Sequence, residues 1–287
     1  MSYENKSQTY PDVRFSGSPS GRPLALVTGA SSGIGYELAI QFARNGYDLL
    51  IVSGSDAIEN AAAQLKDFGV DVIAVRHDLT QEAEVDVFCD NIRETGRPIA
   101  AAALNAGVGV GGKFIETELC RELDLIKLNI VSTVHVAKHL VQYMIEKGEG
   151  GKILFTSSVA AAAPGPYEAV YAASKAFVQS FAMALRHELK EKGIQVTSLQ
   201  PGPTDTNFFH RADMDSTKVA VSEKDDPAEV GRQGFEALMA EKDHVVAGAA
   251  KNHMMTTSLI PDAVKITQHA DMAKPGGASN VQGGPAQ

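Results

Sequence analysis

The stretch Leu24-Ala-Leu-Val-Thr28-Gly-Ala-Ser-Ser-Gly-Ile-Gly35 decides the fold of this chain. Its first five residues form a short apolar run typical of a buried strand, and a segment of helical periodicity begins at Ile34. The glycines between them allow the backbone to turn tightly and approach a phosphate, and a helix N-terminus offers free N–H groups. The stretch therefore predicts a strand, a phosphate-binding loop and a helix, with Ser31 and Ser32 as further donors. A plain Gly-Ser loop is the alternative.

Short apolar runs and helix-period segments alternate through most of the chain. The runs are predicted to be strands because they are short and rich in Val and Ile, although each alone could be a buried turn of helix. Strict alternation predicts an α/β fold: a Rossmann-type, doubly wound parallel sheet of about seven strands, with helices on both faces and ligands at the carboxyl ends of the strands. The predicted strands are Leu24 to Thr28, Asp48 to Ser53, Val70 to His77, Pro98 to Leu104, Lys152 to Ser157, Ile194 to Leu199 and His244 to Ala247.

Length and composition fit one globular domain. The chain has 287 residues, of which 44% are hydrophobic and 21% charged, which are ordinary values. We expect a single domain over residues 22–272, a flexible N-terminal arm over 1–21 and a flexible tail over 273–287. The net charge of −9 argues against a nucleic-acid partner. Two cysteines, a polar N-terminal segment and the lack of a long apolar run predict a cytoplasmic protein with no membrane span.

A second group of functional residues lies in the middle of the chain. Ser158 follows the fifth predicted strand, and Tyr171-Ala-Ala-Ser-Lys175 begins thirteen residues later. A free tyrosine has a pKa of about 10, so it needs a neighbour that stabilises its phenolate to act near neutral pH. Lys175 projects from the same helix face and supplies a positive charge. The group therefore predicts proton transfer at a substrate oxygen to which Ser158 donates a hydrogen bond.

Three other patterns are given structural interpretations. Tyr143-Met-Ile-Glu-Lys147 repeats the spacing, but it has no strand-end serine before it and lies in the last turn of a helix predicted over Leu119 to Lys147. His135 and His139 have the spacing of a helical metal pair, but no third ligand is evident, and no metal site is predicted. Gly107-Val-Gly-Val-Gly-Gly112 does not open directly into a helix, and it is interpreted as a flexible loop beside the cofactor that the phosphate-binding loop would hold.

The turn after the second predicted strand bears on cofactor choice. Dinucleotide-binding folds place an acid there for a ribose 2′-hydroxyl, or a base nearby for a 2′-phosphate. This chain has Ser53-Gly54-Ser55-Asp56, in which Ser55 or Asp56 could instead cap a helix. An uncharged turn tolerates a 2′-phosphate better than an acid does, which favours NADP(H) over NAD(H). Asp78, after the third strand, is predicted to lie near the adenine or to cap the next helix.

Together these motifs resemble those of the short-chain dehydrogenase/reductase family in its short single-domain form, over about Leu24 to Ala247. Thr28 to Gly35 resembles the family's Thr-Gly-x-x-x-Gly-x-Gly loop. Asn105-Ala106-Gly107 is similar to its Asn-Asn-Ala-Gly motif, with Leu104 replacing the first asparagine. Pro201 to Thr206 resembles the Pro-Gly segment that follows the sixth strand.

The resemblance implies a catalytic tetrad of Asn129, Ser158, Tyr171 and Lys175. Ser158 is preferred over Ser157, and Asn129 would hold a water linked to the lysine; from its helix alone, Asn129 would be a polar residue that bends a buried helix. Lys175 would also bind the cofactor ribose, and Thr206 would bind the nicotinamide carboxamide. The expected cofactor residues are Gly29, Ser31, Ser32, Gly33, Ile34, Gly35, Ser53, Ser55, Asp78, Leu79, Asn105, Ala106, Gly107, Tyr171, Lys175, Pro201, Gly202, Thr204 and Thr206.

The implied activity is NAD(P)(H)-dependent hydride transfer between nicotinamide and a small-molecule carbonyl or secondary alcohol, with NADP(H) preferred. The alternatives are a catalytically silent NADP(H)-binding regulatory protein and, third, an epimerase or dehydratase. Asn207 to Asp226 is predicted to be a lid over an apolar pocket, and His253 to Ile266 a second cover, a subunit contact or an interfacial helix. The family is usually oligomeric, so a homodimer or homotetramer is expected, with the helices near 119–147 and 170–192 as its shared surface.

Overall fold

A seven-stranded parallel sheet forms the centre of the computed structural model, which describes residues 21–249 and 261–280. The sheet order is β3-β2-β1-β4-β5-β6-β7, so the predicted Rossmann-type, doubly wound α/β fold is confirmed. The chain reverses its direction of winding between β1 and β4, and their carboxyl ends therefore border a crevice. The strands are β1 (Leu24–Thr28), β2 (Asp48–Ser53), β3 (Val72–Arg76), β4 (Ile99–Leu104), β5 (Gly151–Thr156), β6 (Ile194–Pro201) and β7 (His244–Ala247).

Helices cover both faces of the sheet because successive strand side chains point to opposite faces. Leu24 and Leu26 of β1 pack in one apolar cluster with α3, α5 and α6, whereas Ala25 and Val27 pack in the other with α1, α2 and α9. All five residues of β1 are buried, as expected of a parallel strand covered on both sides. The helices are α1 (Gly33–Arg44), α2 (Ala57–Lys66), α3 (Glu82–Glu94), α4 (Leu119–Ile126), α5 (Ser132–Lys147), α6 (Ala169–Leu189), α7 (Phe208–Arg211), α8 (Lys218–Val221), α9 (Pro227–Met239) and α10 (Asp262–Ala273).

The long helix predicted over Leu119 to Lys147 is interrupted near its middle. A π-helical turn, Lys127–Val131, joins α4 to α5 and contains the buried Asn129. A π turn inserts an extra residue into the helix and often lies at a functional site. The alternative interpretation, that Asn129 is a polar residue that bends a buried helix, stays a prediction.

The chain termini lie partly outside the described residues. The predicted N-terminal arm falls outside them except for Gly21, as do His253 to Ile260 of the predicted second cover. The rest of that cover is the start of α10. In the predicted tail, Gly277–Asn280 forms a 3-10 turn, and the Ala278 amide donates to the Ser216 carbonyl oxygen at 2.9 Å. Over the described ranges, no helix combines the length and apolarity that a bilayer crossing requires.

Candidate active site

A cavity of about 600 Å³ opens at the carboxyl edge of the sheet, where the predicted motifs meet. Two residues predicted to belong to the site, Gly35 and Asn129, do not line it. The other predicted residues do: Gly29, Ser31, Ser32, Gly33, Ile34, Ser53, Ser55, Asp78, Leu79, Asn105, Ala106, Gly107, Ser158, Tyr171, Lys175, Pro201, Gly202, Thr204 and Thr206. Residues from strand ends far apart in sequence are thus brought into one space.

The loop between β1 and α1 has the shape of a phosphate cradle. Gly29 and Gly33 have φ values of +69° and +58°, in the left-handed region that favours glycine. A Cβ atom on Gly35 would lie 2.3 Å from the Gly29 carbonyl oxygen, so the helix start and the loop approach too closely for any side chain. Ser32 precedes α1, and its side chain forms no capping hydrogen bond with that helix. The loop therefore fits a pyrophosphate held at the helix N-terminus.

The ends of β1, β4 and β5 are fixed to one another by polar side chains. The Thr28 hydroxyl accepts hydrogen bonds from the amides of Asn105 and Ala106 at 2.9 and 3.0 Å. The Asn105 side-chain oxygen accepts from the Thr156 hydroxyl at 3.0 Å. These contacts hold the edge of the cavity rigid, and they give Asn105 a structural role in addition to its place in the cavity lining.

The turn after β2 is uncharged and internally hydrogen-bonded. The hydroxyls of Ser31 and Ser53 are 2.9 Å apart, and the Ser55 hydroxyl accepts from the Ala57 amide at 3.2 Å, near the start of α2. Asp56 points instead to the exposed Arg76, with which it forms an ion pair. Arg76 is the register partner of Ser53 in the β2–β3 pair. Arg76 therefore accompanies the serine turn, with Asp56 as its ion-pair partner.

Asp78 lines the cavity and also shapes the turn before α3. Its carboxylate accepts from the Thr80 amide at 3.0 Å and from the Thr80 hydroxyl at 2.8 Å. The residue that caps α3 is Gln81. The alternative that Asp78 caps α3 is therefore wrong, since its carboxylate instead stabilises the turn that precedes the helix.

Tyr171 and Lys175 lie side by side at the start of α6, and both are buried. The Lys175 Nζ atom lies 5.8 Å from the centroid of the Tyr171 ring and donates to the Thr156 carbonyl oxygen at 3.0 Å. The Ser157 hydroxyl donates to the Lys175 carbonyl oxygen at 2.8 Å, which gives it a structural role. The Ser158 hydroxyl accepts from the Ala160 amide at 3.1 Å and lies near the Tyr171 phenol, whose pKa it lowers. Ser158 is thus the serine beside the phenol, and its catalytic role stays a prediction.

Burial governs the ionisation of both groups. It raises the pKa of the Tyr171 phenol, as does the neighbouring Glu168 carboxylate, while the hydrogen bond with Ser158 lowers it. Burial lowers the pKa of Lys175 to about 8. The sequence predicted that Lys175 would depress the pKa of Tyr171. In the structure burial and the Glu168 carboxylate raise that pKa instead, so the tyrosine holds its proton at neutral pH.

Asn129 lies behind the cavity wall. Its side-chain oxygen accepts from the Val108 amide, and its nitrogen donates to the Val108 carbonyl oxygen, both at 2.9 Å. The same nitrogen donates to the Ser174 hydroxyl at 3.0 Å. Asn129 thus joins the loop after β4 to α6. A Cβ atom on Gly107 would lie 3.1 Å from the Asn129 oxygen and 3.3 Å from Lys175 Nζ, so the glycine keeps this junction compact.

The segment after β6 covers the cavity as the sequence predicts for a lid. The rings of Phe208 and Tyr171 are 5.2 Å apart, and Phe209 and Met214 are buried beneath the lid surface. The glycine loop over residues 107–112 docks on this lid, since the Gly111 amide donates to the Ala212 carbonyl oxygen at 2.8 Å. Its predicted flexibility is therefore limited by a contact that the sequence did not reveal.

Several polar lining residues were missed by the sequence reasoning, among them Glu168, Arg211 and His269. Glu168 is buried, and its carboxylate lies 3.1 Å from the Nε2 atom of His269 on α10. Arg211 donates to the Ser32 hydroxyl at 3.3 Å. The position of Glu168, three residues before Tyr171, was a signal that could have placed it there. Arg211 and His269 carry no such local signal.

The second Tyr-x-x-x-Lys motif lies elsewhere and is structural. The Tyr143 hydroxyl donates to the Arg97 carbonyl oxygen at 3.0 Å, and Lys147 Nζ donates to the Gly96 carbonyl oxygen at 2.8 Å. Neither residue lines the cavity. Together they tie the end of α5 to the turn before β4.

Comparisons with known proteins agree with this architecture. The model of the short chain dehydrogenase family matches residues 23–217. The chain is 33% identical over 206 residues to the probable oxidoreductase EphD of Mycobacterium tuberculosis, a match that covers 69% of this chain and 35% of EphD. It is 36% identical over 185 residues to the 1-deoxy-11-beta-hydroxypentalenate dehydrogenase of Streptomyces exfoliatus, covering 63% and 67% of the two chains. This chain therefore spans well under half the length of EphD.

Among solved structures, the chain is similar to a short-chain dehydrogenase from Sphingobium yanoikuyae in complex with NADPH. The TM-score is 0.74 at 30% sequence identity, and the match covers 88% of this chain and 97% of that one.

Proposed function

Because this chain belongs to the short-chain dehydrogenase family, we propose that it is an NADP(H)-dependent oxidoreductase that interconverts a carbonyl compound and a secondary alcohol. The observation that carries this proposal is the meeting of Ser158, Tyr171 and Lys175 in the same cavity as the glycine loop. A proton donor, a hydrogen-bond donor and a cation then face the space next to a phosphate cradle. Carbonyl reduction requires this combination.

Different segments around the cavity are proposed to hold different parts of the cofactor. Gly29 to Gly35 and the N-terminus of α1 would hold the pyrophosphate, and the segment Pro201 to Thr206 would hold the nicotinamide end. When bound, the cofactor would supply or accept the hydride. Gly33 and Thr206 lie close, since a Cβ atom on Gly33 would be 3.0 Å from the Thr206 methyl group. The glycine loop and the segment proposed to hold the nicotinamide therefore contact each other at the N-terminus of α1.

The preference for NADP(H) is supported by the charges around the serine turn. A 2′-phosphate would meet the hydroxyls of Ser53 and Ser55 and the neighbouring Arg76. Asp56, the acid that follows the serine turn, is exposed and forms an ion pair with that arginine. Arginine suits a phosphate because its guanidinium donates to two oxygens at once. The related solved structure from Sphingobium yanoikuyae is a complex with NADPH.

Tyr171 is proposed as the acid–base group. Its raised pKa keeps the phenol protonated at neutral pH, which is the form that donates a proton to a carbonyl oxygen during reduction. Ser158 orients that oxygen, and Lys175 stabilises the phenolate left behind. Asn129 is proposed to position the loop after β4 and, through it, to support a proton relay behind Lys175.

The test is a side-by-side titration of NADPH and NADH, followed by a panel of carbonyl compounds and alcohols with the preferred cofactor. The chain has no tryptophan, so calorimetry or the nicotinamide's own fluorescence reports binding. We expect NADPH to bind about tenfold or more tightly than NADH, a difference of about 1.4 kcal/mol. Equal affinities would contradict the preference. Tight NADPH binding with no turnover across the panel would contradict the enzymatic role.

We also propose a homo-oligomer formed through α4, the π turn and α6. Large apolar side chains are exposed there, among them Leu123, Val131 and Phe177, at 46%, 48% and 39% of their surface. Burying them between copies would remove apolar surface from water. Light scattering at micromolar concentration should give a multiple of the chain mass, and a monomeric mass would contradict this assembly.

A further inference from the structure

We propose that Cys89, His135 and His139 form a binding site for a zinc-type transition-metal ion between α3 and α5. The three candidate ligand atoms lie within 4.8 Å of one another. None of these residues lines the catalytic cavity. The site would therefore be separate from the proposed oxidoreductase chemistry. The sequence supplied the histidine pair but no third ligand, and the packing of α3 on α5 adds the cysteine.

The two helices present their ligands in a suitable arrangement. His135 and His139 are one helical turn apart on α5, and their ring centroids are 5.1 Å apart. Cys89 lies on the facing side of α3, buried in the contact between the helices. Zn–N and Zn–S bonds of about 2.0–2.3 Å place tetrahedral ligand atoms about 3.5 Å apart. The three atoms thus need to approach by about 1 Å, which side-chain rotation of the half-buried histidines can supply.

Asp86 is the candidate for a fourth ligand. It lies one turn before Cys89 on α3, and its Oδ1 atom is 3.0 Å from His135 Nε2. That separation is a hydrogen-bonding distance, so metal binding would replace this contact, and the nitrogen and the carboxylate oxygen would each turn toward the ion. The Asp86 side chain is largely exposed and can move toward the cluster.

The chemistry of the donor set selects the metal class. One sulfur and two imidazole nitrogens favour Zn²⁺ or Co²⁺ over Mg²⁺ and Ca²⁺, which prefer oxygen ligands. Both cysteines of the chain are free, and Cys120 lies exposed on α4. Bound metal would link α3 to α5, and α5 continues directly from the π turn that contains Asn129. Because the ligands converge only in the folded chain, binding should stabilise it.

The experiment is titration of chelator-treated full-length protein with Co²⁺, followed by displacement with Zn²⁺. We expect one Co²⁺ per chain, with thiolate-to-cobalt charge-transfer absorption and the d–d bands of four-coordinate cobalt. Cys89→Ser should abolish the charge-transfer band, and His139→Gln should weaken Co²⁺ binding about tenfold or more. Cys120→Ser is the matched control and should retain both the band and the affinity.

A second measurement keeps the test decisive if Cys89→Ser folds poorly. At a Zn²⁺ concentration of about 100 times Kd, the thermal midpoint of wild type and of Cys120→Ser should rise by several degrees. The thermal midpoint of His139→Gln should rise only about half as far, because a tenfold weaker site is then at only about ten times its own Kd. Absence of a thiolate band in the wild type, its survival in Cys89→Ser, or binding unaffected by His139→Gln would overturn the proposal. None of these readouts depends on oxidoreductase activity.

Discussion

The two Tyr-x-x-x-Lys motifs allow catalysis and stability to be separated by one matched pair of variants. Tyr171→Phe removes a single oxygen atom from a side chain that lines the cavity together with Ser158. General acid catalysis contributes about 10²–10⁴ in rate. We therefore expect kcat/KM for carbonyl reduction to fall about 10³-fold, equivalent to about 4 kcal/mol of activation free energy. Removing a hydroxyl group that faces a cavity should change the midpoint of thermal unfolding little.

Tyr143→Phe removes the same atom from a buried structural site. Tyr143 is 2% exposed, and its hydroxyl donates to the Arg97 carbonyl oxygen at 3.0 Å. Leaving that carbonyl without its partner should cost about 1 kcal/mol of unfolding free energy. For a domain of this size, we expect the thermal midpoint to fall by about 2–4 °C. The rate should stay within about twofold of wild type, because the residue touches no part of the cavity.

The assay pairs initial rates, followed by the absorbance of the reduced nicotinamide, with thermal unfolding and the NADPH Kd. The Kd is needed because a weaker cofactor complex would also lower the rate. If Tyr171→Phe kept more than about a tenth of wild-type kcat/KM, proton transfer by this residue would be refuted. An equal loss of rate in Tyr143→Phe would show that the measurement reports folding and not catalysis.

Three further variants test the cofactor cradle, the 2′-phosphate contact and the pKa of the phenol. In Gly35→Ala the new Cβ atom would lie 2.3 Å from a backbone oxygen, so the loop must shift, and the NADPH Kd should rise about tenfold or more by calorimetry. Gly277→Ala, where the nearest atom is at 3.4 Å, is the control that should bind as wild type. Arg76→Ala should weaken NADPH binding about tenfold and NADH binding less than about twofold, since an exposed charge contact to phosphate is lost; equal losses would argue against a 2′-phosphate contact. Glu168→Gln removes a carboxylate that raises the pKa of Tyr171. Since alcohol oxidation requires the phenolate, the rising limb of its pH–rate profile should move to lower pH, and a move to higher pH would contradict the assignment.

Local features of the sequence predicted most of the fold. β1 and β2 have the predicted bounds, because strands of a parallel sheet are buried on both faces and therefore appear in the sequence as short apolar runs between polar segments. β3 is shorter than the predicted Val70 to His77, since residues at its ends turn toward α2 and the cavity. The π turn at Asn129 was not predicted, because it depends on hydrogen bonds to the loop after β4 and to Ser174.

The serine, tyrosine and lysine of the candidate site were found from the sequence because strand ends and i, i+4 spacing are local properties that place side chains on one edge or one face. The sequence by itself therefore determined the order of elements, the glycine cradle and the group proposed to transfer the proton. The tertiary structure alone decided which distant residues meet. Glu168 and His269 are 101 residues apart, and Cys89 joins His135 and His139 across two helices. Such contacts depend on how the helices pack against each other, and the periodicity within one helix does not determine which residues of another helix it will meet.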